Sequence, residues 1–422
     1  MTTVRVLMQI AVEVDLEIHQ LDVKTAYLNA PIDSEVYIKQ PEGFEEGKGK
    51  VWKLKKSLYG LKQSGRNWNI VLSQFFKSKG FKQSKVDVCL FSLNEGNDIT
   101  FVVVWVDDML MAANSEKNLT QWKDTLKDEF QMKDLGPISY FLGIQFKQTK
   151  EMITMNQSYY LKNVLERFKM DKCKARNTPC EANLNAYKTN NDIQDEGMSE
   201  NYREIVGSLV YAMTCTRPDL AWVVTKLSQH LEQPSNIDWM TIRHVLRYIR
   251  GIYDKNITFR KSKNGLTLIG HSDSDWAASR DDRRSTTGYT FSLNQEGPQI
   301  AWKSKKQKTV ALSSCEAEYM GLSHATQELL FIKMLCEDFG INIISPIEIY
   351  GDNQGSIDMV RNPSSNERSK HIDIRHHFVW EKYMSGVINV SYKETGDNVA
   401  DIFTKPATKQ KLEKFNNMLF GR

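Results

Sequence analysis

The chain has 422 residues, of which 41% are hydrophobic and 26% charged, so it is long enough for two or three globular domains with their own cores. This composition excludes a disordered or fibrous protein. The formal net charge of +4 permits a polyanionic partner but does not require one. The six cysteines include no CxxC pair, so the sequence predicts neither a zinc site nor a disulfide framework and favours a reducing compartment.

The first half of the chain alternates between helical and strand patterns. Apolar residues at positions 4, 7, 10, 11 and 14 predict a helix ending near Asp15, and the charges within it exclude a signal peptide or membrane span. The pattern then predicts a strand over EIHQLDV, strands over SEVYIKQ and KVWKLKKSLYG, a helix from Arg66 to Lys79 closed by Gly80, a hairpin over TFVVVWVDDMLMAAN, a helix over SEKNLTQWKDTLKDEFQMK and a hairpin over YFLGIQFKQTKEMITMNQ.

The second half begins with a polar segment near Glu181 that has no periodicity and is a linker candidate. Three predicted helices follow, and after Gly265 the period changes to three strands. A long helix from Ser314 to Phe339 then precedes alternating strands and helices, which is the order of an α/β domain with a mixed sheet. We therefore expect three regions, with boundaries at 1–178, 179–262 and 263–422.

Two acidic sets are candidates for metal chemistry. Asp107 and Asp108 lie at the turn of the predicted hairpin, and Asp22 lies at the end of a strand between apolar neighbours. Each also has an ordinary interpretation, because aspartate favours tight turns and can begin a helical segment as its N-cap. The second set comes from four separate predicted elements, as needed to hold two metal ions: Asp273, Glu318, Asp352 and Asp401.

Two members of the second set have close competitors. Glu318 begins an apolar seam through Leu322, Ala325 and Leu329, whereas Glu316 lies about 200° round the same helix. The seam favours Glu318 because its side chain would face the core and the sheet edge. Strand alternation does not separate Asp273 from Asp275, since both face the same side.

The motifs LDVKTAYLNA, VYIKQPEGF, VWKLKKSLYGLKQSGRNW, FVVVWVDDML and MKDLGPISYFLGI, in this order, resemble the reverse transcriptase of copia-type retrotransposons from Val4 to about Thr178. The resemblance implies an α+β fold with a right-hand, ferredoxin-like polymerase palm, whose fingers we expect to be truncated because the chain begins just before the first catalytic strand. Connection helices would follow. It also implies that Asp22, Asp107 and Asp108 bind two Mg²⁺ or Mn²⁺ ions.

The same resemblance implies a substrate pocket. Tyr27 matches the residue under the incoming sugar that would exclude a ribose 2′-hydroxyl, although it could equally be a core aromatic. Gly60, Lys62 and Gln63 match the turn and helix start that hold nucleotide and template, while Lys62 alone would usually be solvated. Trp105 stands where the family usually has tyrosine, and it would pack near the primer terminus.

Residues 266–406 resemble the RNase H domain of the same elements, and the pairing of SKHIDIRHHF with ADIFTKP is typical of the copia type. This implies an RNase H-like mixed α/β domain in which Asp273, rather than Asp275, joins the catalytic set with two metal ions. His371, His376 and His377 could contact nucleic acid or simply decorate a helix surface. The run KSKKQK could bind hybrid phosphates or protect an edge strand.

We therefore expect an RNA-directed DNA polymerase with RNase H activity that serves DNA integration by its element. The implied partners are an RNA template, a DNA primer, an RNA–DNA hybrid and deoxynucleoside triphosphates, with no membrane. The implied location is intracellular, in a cytoplasmic particle or the nucleus. The alternative is a truncated element remnant that binds nucleic acid without polymerase activity, or that keeps only RNase H cleavage.

Overall fold

The computed structural model describes residues 1–183, 198–279, 281–295, 297–362 and 373–421. The chain forms two compact units: Val14–Leu142 is one, and Met1–Glu13 together with Gly143–Arg422 is the other. The first helix, α1 (Thr2–Glu13), thus belongs to the larger unit. The division into domains expected at residues 178 and 262 stays a prediction.

The smaller unit, Val14–Leu142, contains two helices, nine short or medium strands and a turn of 3-10 helix at Ala26–Asn29. In chain order its elements are β1 (Glu17–Val23), β2 (Tyr37–Lys39), β3 (Val51–Lys53), α2 (Ser64–Ser78), β4 (Lys82–Gln83), β5 (Leu90–Glu95), β6 (Asp98–Trp105), β7 (Asp108–Ala113), α3 (Glu116–Glu129) and β8 (Met132–Pro137), followed by the two-residue β9 (Tyr140–Phe141).

The main sheet of this unit has six antiparallel strands in the order β4-β5-β6-β7-β1-β8. Apolar faces of β5, β6 and β7 pack against α2 and α3, with Trp68, Phe76 and Phe91 buried in the core between them. The predicted hairpin around Asp107 is confirmed as β6 and β7. The helix predicted through Lys133 is wrong at its end, because Met132 pairs with Val23 and the chain continues as β8.

The larger unit contains helices that pack against two sheets. After α1 its elements are β10 (Ile144–Gln148), β11 (Met152–Asn156), α4 (Ser158–Arg167), α5 (Met198–Cys215), α6 (Ala221–Leu227), α7 (Asn236–Ile252), β12 (Ile257–Arg260), β13 (Ile269–Ser274), β14 (Thr286–Ser292), β15 (Gln299–Lys306), α8 (Ser314–Asp338), β16 (Ile347–Gly351), α9 (Gln354–Arg361), α10 (Asp373–Met384), β17 (Ile388–Tyr392) and α11 (Lys409–Phe420). Three-residue 3-10 turns lie at Pro218–Leu220 and Ser228–His230, and a longer 3-10 helix lies at Val399–Phe403.

Five strands of this unit form the predicted mixed sheet, in the order β15-β14-β13-β16-β17. β13, β14 and β15 are antiparallel neighbours, whereas β16 and β17 run parallel to β13. Helix α8 lies close to β13 at Gly321, where a Cβ atom would come within 2.5 Å of the Ser274 hydroxyl. This close approach brings the N-terminal half of α8 to the end of β13.

A second, antiparallel sheet includes β10, β11 and β12, and β12 was not predicted from the sequence. Much of the polar segment expected as a linker, residues 184–197, lies outside the described residues. None of the described helices combines the length and the apolar character that a bilayer crossing requires.

Candidate active sites

Three carboxylates from three elements converge at one edge of the five-stranded sheet. Asp273 lies on β13, Glu318 on the second turn of α8, and Asp352 directly follows β16. Their ligand atoms lie within 4.8 Å of one another, which among the described residues is the only such group of three acidic, histidine or cysteine side chains. We call these three residues the acidic cluster.

Asp273 is the most buried member of the acidic cluster. One carboxylate oxygen, Oδ2, accepts a hydrogen bond from the Thr404 hydroxyl and lies 3.7 Å from the Lys405 ammonium. The other, Oδ1, is buried and has no hydrogen-bond partner among the described residues. Burial, with Asp352 and Asp401 nearby, raises the pKa of Asp273 to about 6, although Lys405 and Thr404 oppose this shift.

Glu318 also carries a pKa well above its ordinary value, because it is buried beside Asp273 and Asp352. Its competitor Glu316 has a different role, since its carboxylate accepts a hydrogen bond from the Leu312 backbone N–H at 2.8 Å ahead of the helix. The structure thus places Glu318, and not Glu316, in the acidic cluster, as the apolar seam of α8 indicated. Asp275 likewise turns away and accepts from the Thr286 N–H at 2.8 Å.

Asp401, the fourth predicted acid, lies on the 3-10 helix Val399–Phe403 and is paired with cations. Its carboxylate is 3.1 Å from the Lys405 ammonium and 2.5 Å from that of Lys411. Asn398 anchors this helix by donating to the Ser272 carbonyl at 2.8 Å and accepting from the Ala400 N–H at 3.1 Å. Lys405 therefore lies between Asp401 and Asp273.

Sequence reasoning missed the residues that surround the acids: Asn398, Thr404, Lys405 and Lys411. Lysines near an acidic set would ordinarily be interpreted as solvated, so the one available signal was that Lys405 follows Asp401 by four residues. Thr395 was also missed, and its hydroxyl donates to Asp352 at 2.6 Å.

The acidic cluster fits a divalent cation. Hard cations such as Mg²⁺ bind carboxylate oxygens, and gathered like charges are disfavoured unless a proton or a cation neutralises them. The raised pKa values of Asp273 and Glu318 express that cost. The Oδ1 atom of Asp273 is a buried oxygen that neither Thr404 nor Lys405 contacts, so it can serve as a ligand.

The first acidic set lies on two paired strands of the smaller unit. Asp22 is the register partner of Asp108 across β1 and β7, and the Asp107 carbonyl accepts from the Val23 N–H at 2.8 Å. Burial raises the pKa of Asp108, and the neighbouring carboxylates of Asp107 and Asp22 raise it further. The structure therefore brings these three acids to one strand end. Their carboxylates do not lie as close together as those of the acidic cluster.

The turn that presents Asp107 is held in an unusual conformation. Val106 has a φ of 59°, in the left-handed region that β-branched residues rarely adopt. Its carbonyl accepts from the Trp68 indole N–H at 2.6 Å, so a buried side chain of α2 fixes the turn. Such a costly conformation is typical of functional sites, where surrounding structure enforces it.

The predicted pocket residues lie near this turn to different degrees. Tyr27 packs against Tyr59 with ring centroids 4.5 Å apart, and the charge of Asp107, after burial, raises the pKa of Tyr59. Gly60 has a φ of 96° with open space around it, which suits a close approach by another molecule.

The remaining predicted contacts are more open. Lys62 and Trp105 are exposed, and the amide of Gln63 donates to the Ser34 hydroxyl at 3.2 Å. Of the three histidines singled out from the sequence, His371 lies outside the described residues, His376 lies on α10, and His377 is exposed on the same helix.

Comparison with known proteins identifies the family of the chain. Residues 1–182 match the family described as reverse transcriptase, an RNA-dependent DNA polymerase. The retrovirus-related Pol polyprotein of transposon TNT 1-94 from Nicotiana tabacum is 37% identical over 98% of this chain. That of transposon RE2 from Arabidopsis thaliana is 36% identical over 99% of it. The putative transposon Ty5-1 protein of Saccharomyces cerevisiae is 32% identical over 73% of this chain and is covered over its whole length.

The chain belongs to the family of copia-type retrotransposon Pol polyproteins, and its residues 1–182 correspond to their reverse transcriptase. It spans 31% of the length of the tobacco relative and 28% of the Arabidopsis relative.

Among solved structures, an LC11-RNase H1 in complex with an RNA/DNA hybrid matches 33% of this chain and 94% of its own, at 13% identity and a TM-score of 0.26. An RNase H1 from Halobacterium salinarum matches 35% of this chain and 98% of its own, at 17% identity and a TM-score of 0.24.

Proposed function

We propose that the larger unit hydrolyses the RNA strand of an RNA–DNA hybrid, using an RNase H-like active site formed by Asp273, Glu318, Asp352 and Asp401. The convergence of three carboxylates within 4.8 Å carries this proposal. Bound Mg²⁺ or Mn²⁺, two ions per site, would supply an activated water and charge stabilisation at the phosphate.

The residues of the chain have separate roles in this proposal. Asp273, Glu318 and Asp352 hold the cation, and the hydroxyls of Thr404 and Thr395 orient the first and last of these carboxylates. Lys405 lies between Asp273 and Asp401, where its ammonium offsets the negative charge that a phosphodiester would otherwise meet. Asn398 fixes the 3-10 helix that carries Asp401 against β13.

The test is cleavage of a hybrid labelled on its RNA strand, in Mg²⁺, by the full chain and two variants. Glu318→Gln should lose at least about a hundredfold in rate, because it removes a carboxylate from the acidic cluster. Glu337→Gln is the matched control on the exposed end of α8, and we expect it to cleave at the unchanged rate. Equal activity in both variants would contradict the assignment.

A second activity, RNA-directed DNA synthesis, is favoured by the opposition of Asp22 and Asp108 across β1 and β7 beside Asp107. In this proposal the six-stranded sheet is a ferredoxin-like palm, and its three aspartates hold two divalent ions. An RNA template, a DNA primer and deoxynucleoside triphosphates would be the substrates. Tyr27 would exclude a ribose 2′-hydroxyl, and Gly60, Lys62, Gln63 and Trp105 would contact nucleotide, template or primer.

Primer extension on an RNA template tests this second activity. Asp107→Asn should abolish extension, whereas Asp98→Asn, at the exposed opposite end of the same hairpin, should not change it. Tyr27→Ala should raise ribonucleotide incorporation relative to deoxynucleotide incorporation by about tenfold or more. If the folded chain binds hybrid without metal and performs neither reaction, the remnant alternative is correct.

A further inference from the structure

An exposed apolar strip lies beside the acidic cluster. Trp276 lies two residues after the end of β13, next to Asp275, and it is 55% exposed. Val310 and Leu312, in the segment before α8, are 43% and 73% exposed. The Trp276 indole N–H donates to the carbonyl of Ala311, between them, at 3.2 Å. We call Trp276, Val310 and Leu312 the apolar strip.

The backbone around Trp276 is fixed, so the exposure of its ring is built into the fold. Asp275 and Thr286 exchange two hydrogen bonds, from the Asp275 N–H to the Thr286 carbonyl at 3.0 Å and from the Thr286 N–H to the Asp275 carboxylate at 2.8 Å. On the other side Ala277 is buried in a left-handed conformation with a φ of 52°, and its N–H donates to the Ser285 hydroxyl at 3.1 Å.

The other side of the apolar strip is anchored as well. The Leu312 N–H donates to the Glu316 carboxylate at 2.8 Å, which ties the segment to the first turn of α8. Glu316 therefore serves to hold Leu312 in place. Grouped exposed apolar side chains indicate an interaction site more strongly than single ones do.

The apolar strip is close to the acidic cluster. Trp276 is three residues from Asp273, so their Cα atoms are at most about 11 Å apart. Glu316, which holds Leu312, precedes Glu318 by two residues, or about 3 Å along the helix axis. A polymer with one phosphodiester at the acidic cluster therefore reaches these side chains within a few nucleotides if it continues across this end of β13.

We propose that the apolar strip packs against the sugar and base edges of an RNA–DNA hybrid in its minor groove. This inference rests on the proposed hydrolysis of hybrids by the larger unit. The A-like minor groove is wide and shallow, and apolar side chains of other proteins enter minor grooves in this way. The exposed Lys308, two residues before Val310, adds a cation for the phosphates at the border of the strip.

The chemistry of the apolar strip fits a substrate of any sequence. The single polar group of the Trp276 side chain is used by the Ala311 carbonyl, so the ring presents only its apolar face and edge. Such a surface stacks or packs without distinguishing bases.

Binding of a fluorescein-labelled RNA–DNA hybrid by the full chain, measured by fluorescence anisotropy in EDTA, tests the proposal without cleavage. Trp276→Ala should weaken binding about tenfold, and Trp276→Phe should keep most of the affinity because a ring remains. Leu312→Ser should weaken binding severalfold. Ile344→Ser is the matched control, since Ile344 is 83% exposed just before β16 and should leave the affinity unchanged.

The outcomes separate this inference from the proposed function. Unchanged hybrid affinity in both Trp276→Ala and Leu312→Ser would overturn the inference, even if the wild-type chain cleaves hybrids in Mg²⁺. An equal loss in Ile344→Ser would also overturn it, because the effect would then not depend on position. Weakened binding in the strip variants alone, with no cleavage by the wild-type chain, would support the strip and refute the nuclease function.

Discussion

The guanidinium of Arg5 stacks on the ring of Trp302, 3.9 Å from its centroid, inside the larger unit. Arg5 is buried, and burial lowers its pKa to about 10. It donates to the Ile300 carbonyl at 2.6 Å and to the carbonyls of Thr214 and Cys215, at the end of α5, at 2.8 and 2.9 Å. One side chain of α1 thus caps α5 and joins it to β15.

Arg5→Met should destabilise the larger unit by about 3 kcal/mol, because three buried carbonyls lose a charged donor while the apolar stem is kept. Urea unfolding monitored by circular dichroism measures the change. Arg243→Met, on the exposed face of α7, is the control and should stay within about 0.5 kcal/mol of the wild type. A loss no larger than that of the control would mean that the carbonyls find other donors.

Asp219→Asn should cost about 3 to 5 kcal/mol, since it leaves the buried Arg217 without its counter-charge. Arg217 and Asp219 form a bidentate pair at 2.9 and 2.7 Å, and the Tyr248 hydroxyl donates to Asp219 at 2.8 Å. Burial opposes ionisation of Asp219, but the Arg217 charge outweighs it and keeps the pKa below the ordinary value.

The comparison for this prediction is Glu381→Gln, which breaks an exposed pair with Lys382. Exposed pairs contribute little, so we expect a change below about 1 kcal/mol in the same unfolding experiment. Similar losses in the two variants would show that the buried pair is not the stronger one.

His324 should make the larger unit less stable as the pH falls. Burial, and then the charges of Arg375, Lys305 and Lys308, lower its pKa to about 4 from the ordinary 6.5. The unfolded chain therefore takes up a proton below pH 6.5 that the folded chain refuses until about pH 4. Neutral His324 therefore costs the larger unit no stability above pH 6.5. The free energy of unfolding then falls progressively as the pH drops from 6.5 to about 4.

Melting temperatures between pH 7.5 and 4.5 check this prediction in the wild type and in His324→Gln. The variant should lose less stability on acidification than the wild type. His377→Gln, at the exposed histidine of α10, should follow the wild-type curve. Parallel curves for all three proteins would refute the role of His324.

Glu318→Gln should raise the stability of the metal-free protein by about 1 kcal/mol at pH 8, because it removes one of the gathered like charges of the acidic cluster. Added Mg²⁺ should raise the melting temperature of the wild type but not that of the variant, since only the wild type keeps the complete set of oxygens. Glu337→Gln should respond to Mg²⁺ as the wild type does. A variant that is less stable in EDTA would contradict the prediction.

Local patterns in the sequence were sufficient for much of the fold. Alternation around Asp107 and Asp108 predicted the β6–β7 hairpin, and the seam from Glu318 to Leu329 indicated which glutamate of α8 faces the sheet. Both depend on the period of a single element, which a sequence displays directly. The catalytic roles of these residues stay predictions.

Contacts between distant segments were not predictable in this way. Nothing near Arg5 in the sequence indicates that it binds carbonyls at positions 214, 215 and 300, and its charge only argued against a signal peptide. Lys405 and Lys411 meet Asp401 because a 3-10 helix holds that carboxylate close to both ammonium groups. The strand β12 was missed because it has only four residues, too few to show a period, and its partner β11 lies about a hundred residues earlier in the chain.

The position of α1 has a consequence for the order of folding. Ten of its residues, from Thr3 to Val12, are buried within a unit that resumes only at Gly143 and includes β12 and β15. During synthesis two of the strands that contact this helix, β12 and β15, are made more than two hundred residues after it. All residues of the smaller unit are made before these two strands, so its fold can form while the packing around α1 is still incomplete.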